Sequence, residues 1–195
     1  MSGQRILIDA CVLYPSVMHQ MVLATAARGL FEPIWSTRIL EEWARAAQKL
    51  GPVGEAQARG EIAVLRAEWP RAERAAAPGT ERRLFLPDPN DVHVLAVAIE
   101  AGADALMTMN AKDFPKSVLT QEGITRVDPD SYLRGLWEKH PDVLAQVAQD
   151  VLARAERLSG KEWLLRKLLK KARLPKLAKA LGEIGRRSDH REVRH

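Results

Sequence analysis

The feature that most constrains the fold is a short aliphatic run that ends on an acid, Arg5-Ile6-Leu7-Ile8-Asp9, near the start of the sequence. A run this short and this rich in β-favouring residues is typical of a buried strand. Pro15 follows soon afterwards and can open a helix. The run therefore predicts a first strand that delivers Asp9 to its carboxyl end, the edge at which open α/β sheets bind their ligands.

Strands and helices alternate along the sequence after this run. Such alternation predicts right-handed crossovers and a mostly parallel sheet covered on both faces. We therefore expect a three-layer α/β/α domain of about five strands over residues 1–135. The further strands are predicted at 32–35, 82–86, 105–109 and 124–127, and the helices at 16–30, 37–50, 54–76 and 88–101.

The strand signal ends at Trp137, and helices are predicted at 142–158, 161–173 and 175–184. We expect residues 136–185 to form a basic helical extension and residues 186–195 to form a frayed tail. From Lys161 onward, twelve Lys and Arg face four acids, a net charge of +8, whereas the preceding residues carry −3. Leucines at helical spacing could dock on the domain, form a dimer interface or bind a partner helix, and the cations could bind phosphates or simply be solvated.

Composition limits the cellular setting and the metal chemistry. No apolar run approaches the ~20 residues needed to span a bilayer, and the first residues lack the apolar segment of a secretory signal. Cys11 is the single cysteine, so the chain can form neither an internal disulfide nor a thiolate cluster. We expect a cytoplasmic protein without membrane association, in which any metal is held by oxygen or imidazole.

Acids follow several of the predicted strands. Asp9 follows the first, Asp88 and Asp91 the third, and Asp113 the fourth, while Glu41 and Glu42 lie in the second helix. Each acid alone is explained by helix capping or by a solvated helix face. Their convergence is not, because clustered carboxylates repel one another unless a cation neutralises them. Oxygen ligands suit Mg²⁺ or Mn²⁺, and such ions suit phosphodiester hydrolysis.

Four segments together resemble the motif series of PIN-domain nucleases, in particular VapC-type toxins of bacterial type II toxin–antitoxin systems. The resemblance covers roughly residues 4 to 132 in order, spacing and register. The segments are Ile8 to Pro15, Trp35 to Trp43, Leu86 to Ala98, and Met107 to Phe114.

The resemblance implies a Mg²⁺- or Mn²⁺-dependent endoribonuclease in which a metal-activated water hydrolyses RNA. It implies that Asp9, Glu42, Asp91 and Asp113 are both metal ligands and catalytic residues, with Glu42 favoured over Glu41 by its place before Trp43. Asp88 would be a neighbouring N-cap, and Asn110 would orient a metal-bound water. Partners implied are an RNA substrate, a protein antitoxin that inserts a basic residue among the carboxylates, and a second copy in a homodimer.

The sequence departs from the family at Cys11, where a Ser, Thr or Asn is usual. A thiol is a poor ligand for hard metals, so we expect the hydrogen bond made from this position to be weakened or absent. A nucleophilic Cys11 is disfavoured because no His lies near it in sequence. Thr108 could hold a metal-bound water or satisfy a backbone group, and structural roles are predicted for His19 and His93.

Other functions remain open at this stage. A non-catalytic RNA-binding protein would use the basic C-terminal helices and keep the acids as helix caps. A haloacid-dehalogenase-type phosphatase requires a second Asp two residues after the first, where Cys11 stands, and a receiver domain requires a Lys after the fifth strand.

Overall fold

The structure is a computed structural model that describes residues 3–14, 16–51 and 53–189, with backbone only for Ser16 and residues 183–189. Short 3-10 turns occupy Ala47–Leu50 and Pro89–Asp91. In chain order the remaining elements are β1 (Arg5–Ile8), α1 (Ala10–Leu13), α2 (Ser16–Ala27), β2 (Glu32–Ser36), α3 (Thr37–Ala46), α4 (Gly54–Glu68), β3 (Glu73–Arg74), α5 (Pro78–Glu81), α6 (Val92–Glu100), β4 (Ala105–Met107), α7 (Lys116–Gln121), β5 (Thr125–Val127), α8 (Pro129–Lys139), α9 (Pro141–Ser159), α10 (Leu165–Lys171) and α11 (Pro175–Asp189).

The elements group into two compact units. The first contains residues up to 14 and 29–127, and the second contains 15–28 and the residues from 128 onward. Compact units need not fold or act separately, so the division into domains at residues 135 and 185 stays a prediction.

The first unit is built on a five-stranded sheet in the order β3-β2-β1-β4-β5. Every pair is parallel, and Leu7 in the central β1 pairs with Ile34 on one side and Leu106 on the other. Ile6, Leu7 and Ile8 are all buried, as expected for a strand covered on both faces. The predicted α/β fold with a parallel sheet and flanking helices is confirmed.

The strand order creates a crevice at the carboxyl ends of β1 and β4. The chain moves outward from β1 to β2 and β3, and then returns to place β4 on the opposite side of β1. Loops leaving β1 and β4 therefore diverge, and α/β sheets bind ligands at such a switch point. Asp9 directly follows β1 and Thr108 directly follows β4, and the Asp9 N–H donates to the carbonyl of Met107 at 3.1 Å.

Two helices of the first unit form as the sequence predicts. Ser36 caps α3, because its hydroxyl accepts from the Ile39 N–H at 3.3 Å. Asp88 caps the turn that leads into α6, where Pro89 occupies the first position. The apolar α6 is buried almost throughout and packs against β1, β2 and β4.

The predicted third strand was wrong. Residues 82–86 form a turn and an irregular segment, and β3 instead lies at Glu73–Arg74, inside the predicted helix 54–76, which ends at Glu68. β3 pairs in parallel with Trp35 and Ser36. Because both of its residues are polar, its composition gives no strand signal. Residues 111–113 form a turn, and the helices α7 and α8 were not predicted.

In the second unit, the C-terminal helices and the turn between them bury four leucines. Leu168, Leu169, Leu174 and Leu177 are buried, and α11 packs against α10 and α8. α11 extends to Asp189, past the predicted end at 184, whereas residues 190–195 of the predicted frayed tail lie outside the described residues. Among the helices that the structure describes, none is long and apolar enough to cross a membrane.

Candidate metal centre

Asp9 places a buried carboxylate at the crevice, where two side chains hold one of its oxygens. Thr108 Oγ1 donates to Asp9 Oδ2 at 2.7 Å, and the Cys11 thiol donates to the same oxygen at 3.0 Å. Asp9 is only 7% exposed, and a buried carboxylate is costly unless it is hydrogen-bonded or neutralised. No donor from the described chain reaches Oδ1, so this oxygen remains available to a ligand.

Cys11 makes the hydrogen bond expected to be weakened or absent, so the bond is present and is made by a thiol. The Cys11 sulfur also accepts from the Met109 N–H at 3.3 Å, which fixes the position of the thiol. A thiol is a weaker donor than a hydroxyl. Burial, followed by the nearby charge of Asp9, raises the pKa of the Cys11 thiol to about 12. The group stays protonated, as a hydrogen-bond donor must, and this argues against a nucleophilic role.

Thr108 connects Asp9 to a second acid, Asp91. Its hydroxyl donates to Asp9 and accepts from the Asn110 N–H at 2.9 Å, so it satisfies a backbone group and also orients a carboxylate. The Asn110 side-chain amide donates to Asp91 Oδ2 at 3.2 Å. A hydrogen-bonded path thus runs from Asp9 through Thr108 and Asn110 to Asp91.

Asp91 lies in a group of three half-buried aspartates, Asp88, Asp91 and Asp113, which we call the aspartate cluster. One carboxylate oxygen from each lies within 4.8 Å of the others, a spacing suited to a shared metal ion. Asp88 Oδ1 also accepts from the Asn90 N–H at 2.9 Å, so this residue caps a turn and belongs to the cluster as well. The sequence placed Asp88 among the converging acids, but the family resemblance made it a neighbouring N-cap rather than a ligand.

The charges of the neighbouring acids act together on Asp91. Its pKa is raised to about 6, first by partial burial and then by the charges of Asp9, Asp88, Asp113 and Glu42. Among the described residues, no Lys or Arg forms an ion pair with Asp9, Asp88 or Asp91. The protein leaves these charges uncompensated, which is the condition under which a bound cation stabilises a carboxylate group.

Glu42 lies on α3, and its charge contributes to the raised pKa of Asp91. Its Oε1 lies 2.8 Å from Nε2 of the buried His93 and 3.3 Å from Nε of Arg38. Neither His93 ring nitrogen makes a well-aligned hydrogen bond with another described residue. His93 and Arg38 were not predicted as neighbours of the site, although Arg38 and Glu42 have the i, i+4 spacing of a helical ion pair.

Glu41 is engaged elsewhere, by the arginines of the helix surface. Arg59 from α4 donates to both of its oxygens at 2.9 Å, and Arg45 lies 3.2 Å away. The hydrogen bonds from Arg59 lower the pKa of Glu41 to about 2. Of the two adjacent glutamates, Glu42 is the one whose charge is felt at Asp91.

A groove with a volume of about 710 Å³ opens beside Glu42 along α3. Arg38, Arg45, Asn90 and His93 contribute to its walls. Arg38 also donates to the Asn90 carbonyl at 3.4 Å, so it links α3 to the turn that carries Asp91. Glu42 is the one predicted ligand in its lining, and the aspartates of the centre lie outside it.

The four predicted ligands lie close enough for their charges to interact, but only two of them belong to the aspartate cluster. Asp91 and Asp113 meet in the aspartate cluster, whereas Asp9 and Glu42 act on Asp91 through their charge. Every donor atom is a carboxylate oxygen, which fits a hard divalent cation such as Mg²⁺ or Mn²⁺. The donor set and the uncompensated charge together fit a metal site.

The family comparison agrees with this geometry. A family model described as "PIN domain" matches residues 5–112, which include β1, β4 and most of the acids of the centre. The comparison with curated proteins gives no significant match.

Proposed function

This chain belongs to the PIN-domain family, whose members are generally metal-dependent nucleases, and from that premise we propose that it is a Mg²⁺- or Mn²⁺-dependent endoribonuclease. The observation that carries the proposal is the convergence of Asp9, Glu42, Asp91 and Asp113 on one centre. Among the described residues, no Lys or Arg pairs with Asp9 or Asp91, whereas Arg38 lies 3.3 Å from Glu42 and Lys112 lies 3.9 Å from Asp113. A helix-capping role for each acid would not require the five carboxylates, Asp88 included, to share one electrostatic field.

Asp91 and Asp113 would hold the ion, with Asp88 beside them and with Asp9 and Glu42 supplying further negative charge. A divalent cation in this centre supplies charge to stabilise the leaving oxygen and lowers the pKa of a bound water. Thr108 and Cys11 fix the Asp9 carboxylate, and Asn110 fixes that of Asp91. These contacts preorganise the oxygens, so that the centre does not have to rearrange when it is occupied.

Glu42 and His93 form the second part of the proposed machinery. Glu42 Oε1 lies 2.8 Å from Nε2 of the buried His93 at the edge of the groove, so the imidazole packs directly against the glutamate. Arg38, half-exposed beside them, can contact a phosphate of a strand lying in the groove.

We favour single-stranded or looped RNA as the substrate, because its backbone can be splayed to bring one phosphate to a recessed acidic centre. The resemblance to VapC-type toxins extends this proposal to a growth-arresting toxin. Its inhibitor would be a protein antitoxin whose Arg or Lys neutralises the carboxylates, and the nuclease itself would pair as a homodimer.

Cleavage by the purified full-length chain tests the proposal. A single-stranded RNA and a DNA of the same sequence are each incubated with Mg²⁺, Mn²⁺ or a chelator. We expect metal-dependent cleavage of the RNA, abolished by the chelator and reduced at least ~100-fold by Asp91→Asn. Asp142→Asn removes an exposed acid of α9 and is the matched control, for which we expect the wild-type rate.

Undiminished cleavage in the chelator, or by Asp91→Asn, would overturn the catalytic assignment. Cleavage of the DNA alone would overturn the choice of RNA. The toxin role is tested separately, by expressing wild type and Asp91→Asn in a host that lacks the antitoxin. Growth arrest by the wild type alone is expected, and equal arrest by both would contradict a role that depends on cleavage.

A further inference from the structure

The second unit carries a concentrated cationic surface outside the metal centre. Eight Lys and Arg side chains lie within nineteen residues, against the single acid Glu162, and all eight are exposed. We call these eight side chains the basic surface. They are Lys161, Arg166, Lys167, Lys170, Lys171, Arg173, Lys176 and Lys179.

These cations lack the ion pairs that arginines make in the first unit. Arg45, Arg59, Arg66 and Arg83 each contact a glutamate, whereas no member of the basic surface forms an ion pair with another described residue. Crowding like charges without partners opposes the compact state. An anionic ligand spread over the surface would relieve that repulsion.

The helices that carry the basic surface are held in place from beneath. Leu168, Leu169, Leu174 and Leu177 are buried beneath them, and the buried Asp130 carboxylate accepts from the N–H groups of Lys176 and Leu177, both at 2.9 Å, at the start of α11. The buried side of α10 and α11 is therefore already used, and the positions from which the exposed cations extend are held by the helix backbone. Binding a polymer therefore does not require the helices themselves to be ordered.

We propose that the basic surface binds the sugar–phosphate backbone of RNA, without reading its sequence. Six of the eight cations are lysines, which bind phosphates as point charges and supply little of the planar, bidentate geometry that arginine offers to carboxylates. A membrane surface is disfavoured because Leu168, Leu169, Leu174 and Leu177 are buried, which leaves Leu164, 66% exposed, as the one largely exposed leucine among the described residues of this segment. This activity is distinct from cleavage and does not depend on the metal centre.

The test uses two double variants of the full-length chain that remove the same charge. Arg166→Gln/Lys170→Gln changes two exposed cations one turn apart on α10, and Lys49→Gln/Arg71→Gln changes two exposed cations of the first unit. Three members of the basic surface are avoided because they have structural contacts or backbone constraints: Lys171 lies 5.0 Å over the Trp163 ring, Lys176 Nζ donates to Ser131 Oγ, and Arg173 has a φ of 60°. Arg166→Lys/Lys170→Arg keeps the charge and controls for side-chain shape.

Binding to a fluorescent RNA hairpin is measured in a chelator, so that no cleavage occurs, over a series of salt concentrations. We expect wild type and the Lys49→Gln/Arg71→Gln variant to bind alike, with affinity that falls steeply as salt rises. Arg166→Gln/Lys170→Gln should lose about two units of the salt slope and about tenfold or more in affinity, while the charge-retaining variant binds as wild type. A DNA hairpin of the same sequence reports whether the 2′-hydroxyls contribute.

Equal loss of binding in both neutralised variants would overturn the proposal, because it would show an effect of net charge alone. No binding by the wild type at about 100 μM protein and low salt would also overturn it. The proposal is also overturned if Arg166→Gln/Lys170→Gln binds anionic phospholipid vesicles more weakly than the Lys49→Gln/Arg71→Gln control does, while the two variants bind RNA equally. Circular dichroism and thermal melting establish that each variant is folded.

Discussion

Thr108 Oγ1 donates a 2.7 Å hydrogen bond to Asp9 Oδ2, joining residues 99 positions apart in sequence at the ends of two adjacent parallel strands. Parallel pairing of β1 with β4 places the two side chains side by side. The bond is buried, and it directs the carboxylate on which the proposed chemistry depends.

Replacing Thr108 with Val removes this donor while keeping the shape of the side chain. We expect Thr108→Val to lower the free energy of unfolding by about 1–3 kcal/mol, since a buried carboxylate loses a partner and the Asn110 N–H loses its acceptor. RNA cleavage should fall about 10–100-fold, as for other residues that orient metal ligands. Urea unfolding and cleavage rates measure the two effects. Thr108→Ser should restore cleavage, and a Thr108→Val enzyme with the wild-type rate would show that orientation of Asp9 is unimportant.

Cys11 is expected to resist alkylation in the folded protein. With its pKa raised to about 12, only about one thiol in ten thousand is ionised near pH 8. Iodoacetamide should label Cys11 quickly in the urea-unfolded chain and very slowly in the native one, as followed by mass spectrometry. Equal labelling rates would show that the thiol is neither buried nor hydrogen-bonded to Asp9.

The raised pKa of Asp91 leads us to expect an unusual pH dependence of stability in the metal-free protein. Its pKa of about 6 in the folded state exceeds the ordinary value of 3.8, so its protonation stabilises the fold fully below about pH 4, and this contribution is lost as the pH rises through about 6. In a chelator near pH 7.5, Asp91→Asn should therefore be more stable than wild type. We expect a gain of about 1 kcal/mol, discounted from the full shift because the carboxylate is partly exposed to solvent.

Urea unfolding of wild type, Asp91→Asn and the control Asp142→Asn near pH 5 and pH 7.5 measures this effect. The advantage of Asp91→Asn should shrink at the lower pH, and Asp142→Asn should show no comparable gain. An Asp91→Asn protein less stable than wild type near pH 7.5 in the chelator would contradict the raised pKa.

Glu41 and Glu42 offer a matched pair of substitutions on adjacent residues of α3. Glu42→Gln removes charge from the centre and disturbs the contact with His93, so we expect weaker Mn²⁺ binding and cleavage reduced at least ~10-fold. Glu41→Gln loosens ion pairs with Arg45 and Arg59 at the surface and should leave cleavage unchanged. Equal rates for both variants, or a larger loss for Glu41→Gln, would refute the choice of Glu42.

The sequence predicts those parts of the fold whose signals are local. The aliphatic run before Asp9 forms the predicted strand, and α3 and α6 form within the predicted helical ranges 37–50 and 88–101. β3 was missed because Glu73 and Arg74 are polar and become a strand only by pairing with Trp35 and Ser36. The false strand at 82–86 contains an apolar residue, Phe85, that is 83% exposed, so local hydrophobicity alone was misleading there.

In the candidate site, too, some features can be predicted from the sequence and others depend on tertiary structure. The acids can be selected from the sequence, because each follows a predicted strand or opens a helix. The contacts that orient them, from Cys11, Thr108 and Asn110, depend on the register of β1 with β4 and on turn geometry. The double role of Asp88 and the approach of His93 to Glu42 likewise arise only from tertiary packing.

The most direct test of the account is a calorimetric titration of the metal-free, full-length chain with Mn²⁺ near pH 7.5. We predict saturable binding by the wild type, by Glu41→Gln and by Asp142→Asn, with at least ~10-fold weaker binding by Asp91→Asn and by Asp113→Asn. Binding that is unaffected by Asp91→Asn and Asp113→Asn, or no binding by the wild type, would contradict the claim that these converging carboxylates form a metal centre.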